Sequence, residues 1–455
     1  MVAGGLAAAA EALAPGTTVL VTRDGAGMHA SGGTHYSAVS TAGKCVAFDS
    51  SSTTMPGATG GKRQIYVRDI DAGTTELVST PTGGTVGGDG DSFFPVITPD
   101  CRYVAYDSEA TNLTAGTQTQ RQVYRRDLQT DTTILISRAT GAGAASDRGS
   151  SVPSISDDGN RVSFAGTSAN LASDDSDGIL HDDVFVRKVT EAETLLVSRN
   201  DADAAQDSLG EATGYTDISG DGSKVGFDST AHNLSTEDAD NGSVFIRDID
   251  AGTTLLASRS GGPTGPAADG PSGTPSLNGD GTKVLFQTSA SNLGASGTVV
   301  IVVRDVTTGA TQIVSRASGA TGELSNSSTG GSGAQILSSD GTRAAFWSFA
   351  SNLDPAATTT GSRVYVRDLT TATTALQTPP PANTAPEFGF APDGSAVSFM
   401  TAAQLSADDT DTGTDIYARG VTFTPFVPPN PNPNPPGPDP DPNPAPAVVT
   451  PTPTP

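Results

Sequence analysis

Three acid-rich stretches carry the clearest spacing for chemistry. Asp175-Ser-Asp177-Gly178, Asp238-Ala-Asp240-Asn241-Gly242 and Asp409-Thr-Asp411-Thr-Gly413 place hard oxygens at i and i+2 ahead of a turn-permitting glycine. Calcium loops need that pattern. Asp182 and Asp415 would complete the first and third sets. No bidentate glutamate follows at the closing position, so none is an EF-hand, and a solvated acidic turn would use the same residues. Calcium is the one cofactor these residues suggest. The four histidines, His29, His35, His181 and His232, share no ligand spacing such as H-x-H. No G-x-S-x-G elbow, Walker loop or H-E-x-x-H occurs, and no catalytic residue is assigned.

Charge excludes whole classes of partner. Lys+Arg 25 against Asp+Glu 50 leaves a net charge of −25, a field that repels nucleic acid and anionic lipid alike. No apolar run is long enough to span a bilayer as a helix. The 53 glycines and abundant Ser, Thr and Asp favour many short strands joined by turns over long helices.

The elements that must hold these loops repeat along the chain. Segments of the type V-Y-V-R-D recur seven times, with arginines at 68, 126, 187, 247, 304, 367 and 419, a mean spacing close to 58 residues. Each follows a second alternating strand that ends in an aromatic: Phe48, Tyr106, Phe164, Phe227, Phe286, Phe346 or Phe399. A tight turn precedes that second strand, Asp-Gly in five copies, such as Asp158-Gly159, where glycine supplies the positive φ. After V-Y-V-R-D come a Thr/Gly turn and a fourth strand such as Leu195 to Arg199. Seven copies of four antiparallel strands specify an all-β, seven-bladed β-propeller, since radial repetition protects the sheet edges. The seventh copy has only three strands, and Thr17 to Arg23 matches the missing fourth, so the N-terminal strand should close the ring.

The S-x-D-G-x-x-V-x-F segment followed by V-Y-V-R-D resembles the WD40-like PD40 repeat of TolB-type propellers, over residues 17 to about 422. That resemblance implies the propeller fold and leaves function open, because such propellers serve as binding platforms and as enzyme modules. Some PD40-like propellers are uronate lyases with a histidine-held metal in the central channel. On that account the four histidines are worth locating.

Blade topology puts the long loops, between second and third strands and between blades, on one face, which is where a ligand is expected. These loops are poor in aromatics, and the repeated strand positions absorb much of the aromatic content. Trp347 replaces the acid that follows the strand-end aromatic as Asp49, Asp107 and Asp228, and is read as blade-edge packing. Cys45 and Cys101 fall at corresponding ends of the second strand in neighbouring copies, either as a disulfide between blades 1 and 2 or as two buried thiols.

The expected layout is an Ala-rich leader or signal remnant over 1–15, the propeller over 16–423 and a Pro-rich tail over 424–455. At roughly 3.1 Å per residue such a tail forms a polyproline II spacer reaching about 90 to 100 Å. The reading that follows is an extracellular or cell-envelope, monomeric, non-catalytic binding or scaffold propeller. It would recognise a protein or glycan on its long-loop face. The alternative is a hydrolase or polysaccharide lyase working in the central channel.

Overall fold

The computed structural model describes residues 13–24, 27–30, 33–116, 119–173, 182–201, 212–231, 233–235, 242–327, 335–357, 361–380, 382–384 and 387–423. They form seven four-stranded antiparallel sheets. Blade 2 is typical: an inner strand Ser92–Ile97, then Tyr103–Ser108, Gln122–Asp127 and an outer strand Thr132–Leu135. In the last blade Phe388–Phe390, Ala396–Thr401 and Asp415–Gly420 are completed by Thr18–Leu20 from the other end of the chain. Thr18 stands opposite Arg419 and Leu20 opposite Tyr417, so the ring closes as the repeat count requires.

The core is divided among the seams between neighbouring blades, and each seam has its own cluster of buried side chains. Blades 2 and 3 share Ala105, Val123, Ile136, Val162, Phe164 and Phe185, and the closing seam joins Val21, Val39, Val46, Ile416 and Ala418. The strand-end aromatic lies opposite an aromatic of the third strand in six blades, with Phe164 and Phe185 centroids 5.7 Å apart. Offset contacts at this range add about 0.5–1.5 kcal/mol beyond the area buried.

The repeated polar residues act locally. In the S-x-D-G turn Ser156 Oγ donates to Asp158 Oδ1 (2.6 Å), while the Arg161 amide donates to Ser156 Oγ (3.0 Å). Gly159 has φ +70°, and a Cβ there would sit 2.2 Å from the Tyr103 ring, so glycine is required twice over. The arginine and aspartate of V-Y-V-R-D do separate jobs. Asp368 accepts amides of its own turn, from Thr370 (3.0 Å) and Thr371 (2.8 Å). Arg367 instead reaches back to the preceding blade and donates to Arg316 O (3.2 Å), Ala317 O (3.1 Å) and Gly319 O (3.0 Å), as well as to Thr374 Oγ1 of its own outer strand (2.7 Å). Arg187 and Arg304 make the same kind of bond. This guanidinium is a rivet between blades.

Cys45 and Cys101 meet at the seam of blades 1 and 2 as a disulfide, with Cα atoms 5.9 Å apart. Alkylation of the denatured chain without reductant, read by mass spectrometry, is expected to label neither cysteine. Two labelled thiols would exclude the bridge.

Candidate functional site

The inner strands surround an axial funnel of about 360 Å3. Its mouth, where the inner strands begin, is the end that the long loops enter. Four inner strands break register there, gaining one unpaired residue in blades 2, 3 and 5 and two in blade 4. Phe94, Val152 and Thr274 take φ of 50°, 52° and 51°, and Gly214 takes 85° in blade 4. Positive φ is costly for bulky or β-branched residues and persists only where surrounding bonds enforce it. Such bulges re-aim side chains beside functional sites.

In blades 3 and 5 the enforcing groups are acids that follow the strand-end aromatic of the preceding blade, and the corresponding acid of blade 1 holds the approach to its own inner strand. Asp107 Oδ2 accepts the Val152 amide (3.0 Å), Asp228 Oδ2 accepts the Thr274 amide (3.3 Å), and Asp49 Oδ1 accepts those of His35 and Tyr36 (both 2.8 Å). Asp49 and Asp107 are fully buried, and each holds an arginine at the mouth. Arg63 Nε lies 3.3 Å from Asp49 Oδ2, and Arg121 Nε donates to Asp107 Oδ1 at 2.7 Å. Burial pushes the Asp107 carboxyl up to about 7 against the opposing pull of Arg121, and it raises Asp49 in the same direction. Both guanidinium groups lie over Phe93, Arg121 at 4.4 Å and Arg63 at 5.1 Å from the ring centroid, and Tyr36 packs on Phe94 at 4.1 Å. The mouth is therefore an aromatic collar fixed by two buried ion pairs, offering ring faces and guanidinium N–H groups.

The aromatic side chains at the mouth come from the inner strands and the residue that enters one, outside the aromatic-poor loops. Tyr36, Phe94 and Tyr215 lie outside the repeated strand positions and line one opening, while Phe93, next to Phe94, lies under both arginines. Trp347 packs as expected, 9% exposed and edge-on to Phe349 at 4.6 Å.

The candidate metal ligands separate into groups. Asp175, Asp177, Asp238 and Asp240, with His181 and His232, lie outside the described residues. Asp182 borders a cleft beside the funnel with Arg121 and Tyr215. Asp409, Asp411 and Asp415 do come together, and His29 joins them. His29 was not paired with these acids in the sequence, although the closing strand implied it: whatever follows Thr17 to Arg23 must pass beside the residues before Asp415. Among the described residues no histidine cluster forms in the channel, and His35 faces Asp49 (3.9 Å) and Arg63 (3.5 Å).

No family model and no curated protein matches this chain. Solved structures do. An oligogalacturonate lyase from Vibrio parahaemolyticus aligns over 90% of this chain and 100% of its own, at 12% identity and TM-score 0.52. The chain is a seven-bladed β-propeller. TolB from Acinetobacter baumannii covers 87% of this chain and 80% of its own at 11% identity and TM-score 0.39. The β-propeller domain of the Trilobed protease from Pyrococcus furiosus covers 86% and 95% at 10% identity and TM-score 0.49. The similarity to the Vibrio lyase shows the fold alone and leaves the task of the propeller to its own residues.

Proposed function

We propose that this chain is an exported, non-catalytic binding propeller that receives a protein or glycan partner at the funnel mouth on its long-loop face. The aromatic and arginine collar carries the reading. Asp49 and Asp107 are occupied in holding amides and guanidinium groups, so they support a fixed recognition surface. Aromatic side chains backed by arginine are the usual energetic centres of recognition surfaces. The Ala-rich start, the paired cysteines and the proline-rich segment over 424–455 fit an exported monomer held off an envelope by a spacer. No helix among the described residues is long and apolar enough to cross a membrane.

The test is a panel of neutral and acidic oligosaccharides and of displayed peptides, titrated against the full chain. A hit should bind at least tenfold more weakly to Phe93→Ala and to Tyr36→Ala, about 1.4 kcal/mol or more each. Leu255→Ser, at a half-exposed position on an outer strand, should bind as wild type. Binding indifferent to both mouth substitutions overturns the placement. Turnover of a uronide by the purified chain overturns the non-catalytic reading in favour of a channel lyase.

A further inference from the structure

Away from the funnel, one cluster joins the two ends of the ring. His29 lies just beyond the closing strand, while Asp409, Asp411 and Asp415 lead into the third strand of the last blade. One donor atom from each of the four lies within 4.8 Å of the others. One imidazole nitrogen of His29 stands 2.9 Å from Asp415 Oδ1 and the other 3.8 Å from Asp411 Oδ2. The imidazole is thus set between carboxylates of the same cluster. The His29 side chain is 7% exposed and that of Asp415 2%, so the donors are withdrawn from water except on the Asp411 side, at 35%.

A second observation sets this cluster apart from an acidic turn. Asp415 Oδ1 is held by Thr22 Oγ1 (2.6 Å) and His29, yet its Oδ2 is buried with no hydrogen-bond partner. A buried carboxylate oxygen left without a donor is costly, and such an atom calls for an explanation such as an ion. Asp409 and Asp411 are fixed by their surroundings. Tyr417 Oη donates to Asp409 Oδ2 (2.6 Å) and the Gly413 amide to Asp411 Oδ1 (2.6 Å). The donors are thus placed by the fold, with three carboxylates and one imidazole converging from segments about 380 residues apart.

We infer that His29, Asp409, Asp411 and Asp415 bind one divalent transition-metal ion that staples the N-terminal segment to the last blade. One imidazole with three carboxylates suits Zn2+ or Mn2+, whereas calcium takes oxygen ligands only. The oxygen-only set expected from the sequence is therefore changed in kind by His29. The ion ties down a closure whose regular ladder is only the three pairs from Thr18 to Leu20. Because those ligands meet only in the closed ring, binding energy adds to the stability of the closed state. This inference is independent of what the funnel mouth binds.

The experiment is calorimetric titration and thermal melting of the metal-stripped full chain with Zn2+, Mn2+ and Ca2+ separately. One equivalent of Zn2+ or Mn2+ should bind and raise the melting temperature by several degrees. His29→Gln should weaken that binding at least tenfold and abolish the thermal shift. Asp411→Asn, changed at the most exposed ligand, provides the same reading should the histidine variant fold poorly. Absence of heat and of any thermal shift overturns the site. So does binding that survives both substitutions, or calcium binding that matches the other two ions and ignores His29→Gln.

Discussion

Val21→Asp is expected to cost at least about 4 kcal/mol, the effect of placing a charge in an apolar seam without a partner. Val21 is fully buried, and its amide donates to Ile416 O at 2.9 Å across the closing pair. Its neighbours Val39, Val46, Ile416 and Ala418 belong to the last and first blades, so an aspartate there pries the two ends of the ring apart. Met28→Asp, seven residues on and 66% exposed, should change stability by less than about 0.5 kcal/mol. Denaturant unfolding of both variants against wild type is the measurement. If the two variants unfold alike, the N-terminal segment does not close the ring.

Arg367→Met is expected to cost about 3 kcal/mol, because it removes a buried charged donor from several acceptors at once. Arg367 is 0% exposed, and burial lowers its guanidinium to about 10, which leaves it charged at neutral pH. Met fills much of the aliphatic stem but takes the guanidinium donor from Arg316 O, Ala317 O and Gly319 O, of which Arg316 O keeps Thr374 Oγ1 and Gly319 O keeps the Gly322 amide. Arg367→Lys should recover less than half of the loss, since one ammonium cannot reproduce a planar fork directed at separate carbonyls. The same denaturant series decides it. A loss below about 0.5 kcal/mol for the methionine variant would return the repeated arginine to the status of a surface charge.

The ring was legible because its determinants are local and repeated. S-x-D-G encodes a turn whose serine, aspartate and glycine satisfy one another within five residues, and V-Y-V-R-D marks a strand in every copy. Closure was legible for the same reason, since Thr17 to Arg23 carries the fourth-strand pattern out of place. The recognition surface was hidden because it follows no repeat. Phe94 and Val152 sit at positive φ against their own preferences, and the aspartate that holds the Val152 bulge lies 45 residues away, in the previous blade. Spacing within a loop likewise showed Asp409, Asp411 and Asp415 as a set, but only ring closure brings His29 to them.

The arrangement of the closing pair also sets how the molecule bears force. Thr18 and Arg419 lie opposite each other at the end of the ladder where the chain enters and leaves the ring. Tension applied through residues before 13 and after 423 pulls on that same end, so the bonds break in succession, as in a zipper, instead of sharing the load in shear. A propeller tethered at both ends yields at low force through this blade, whereas one anchored by a single end carries load around the ring without touching the closure.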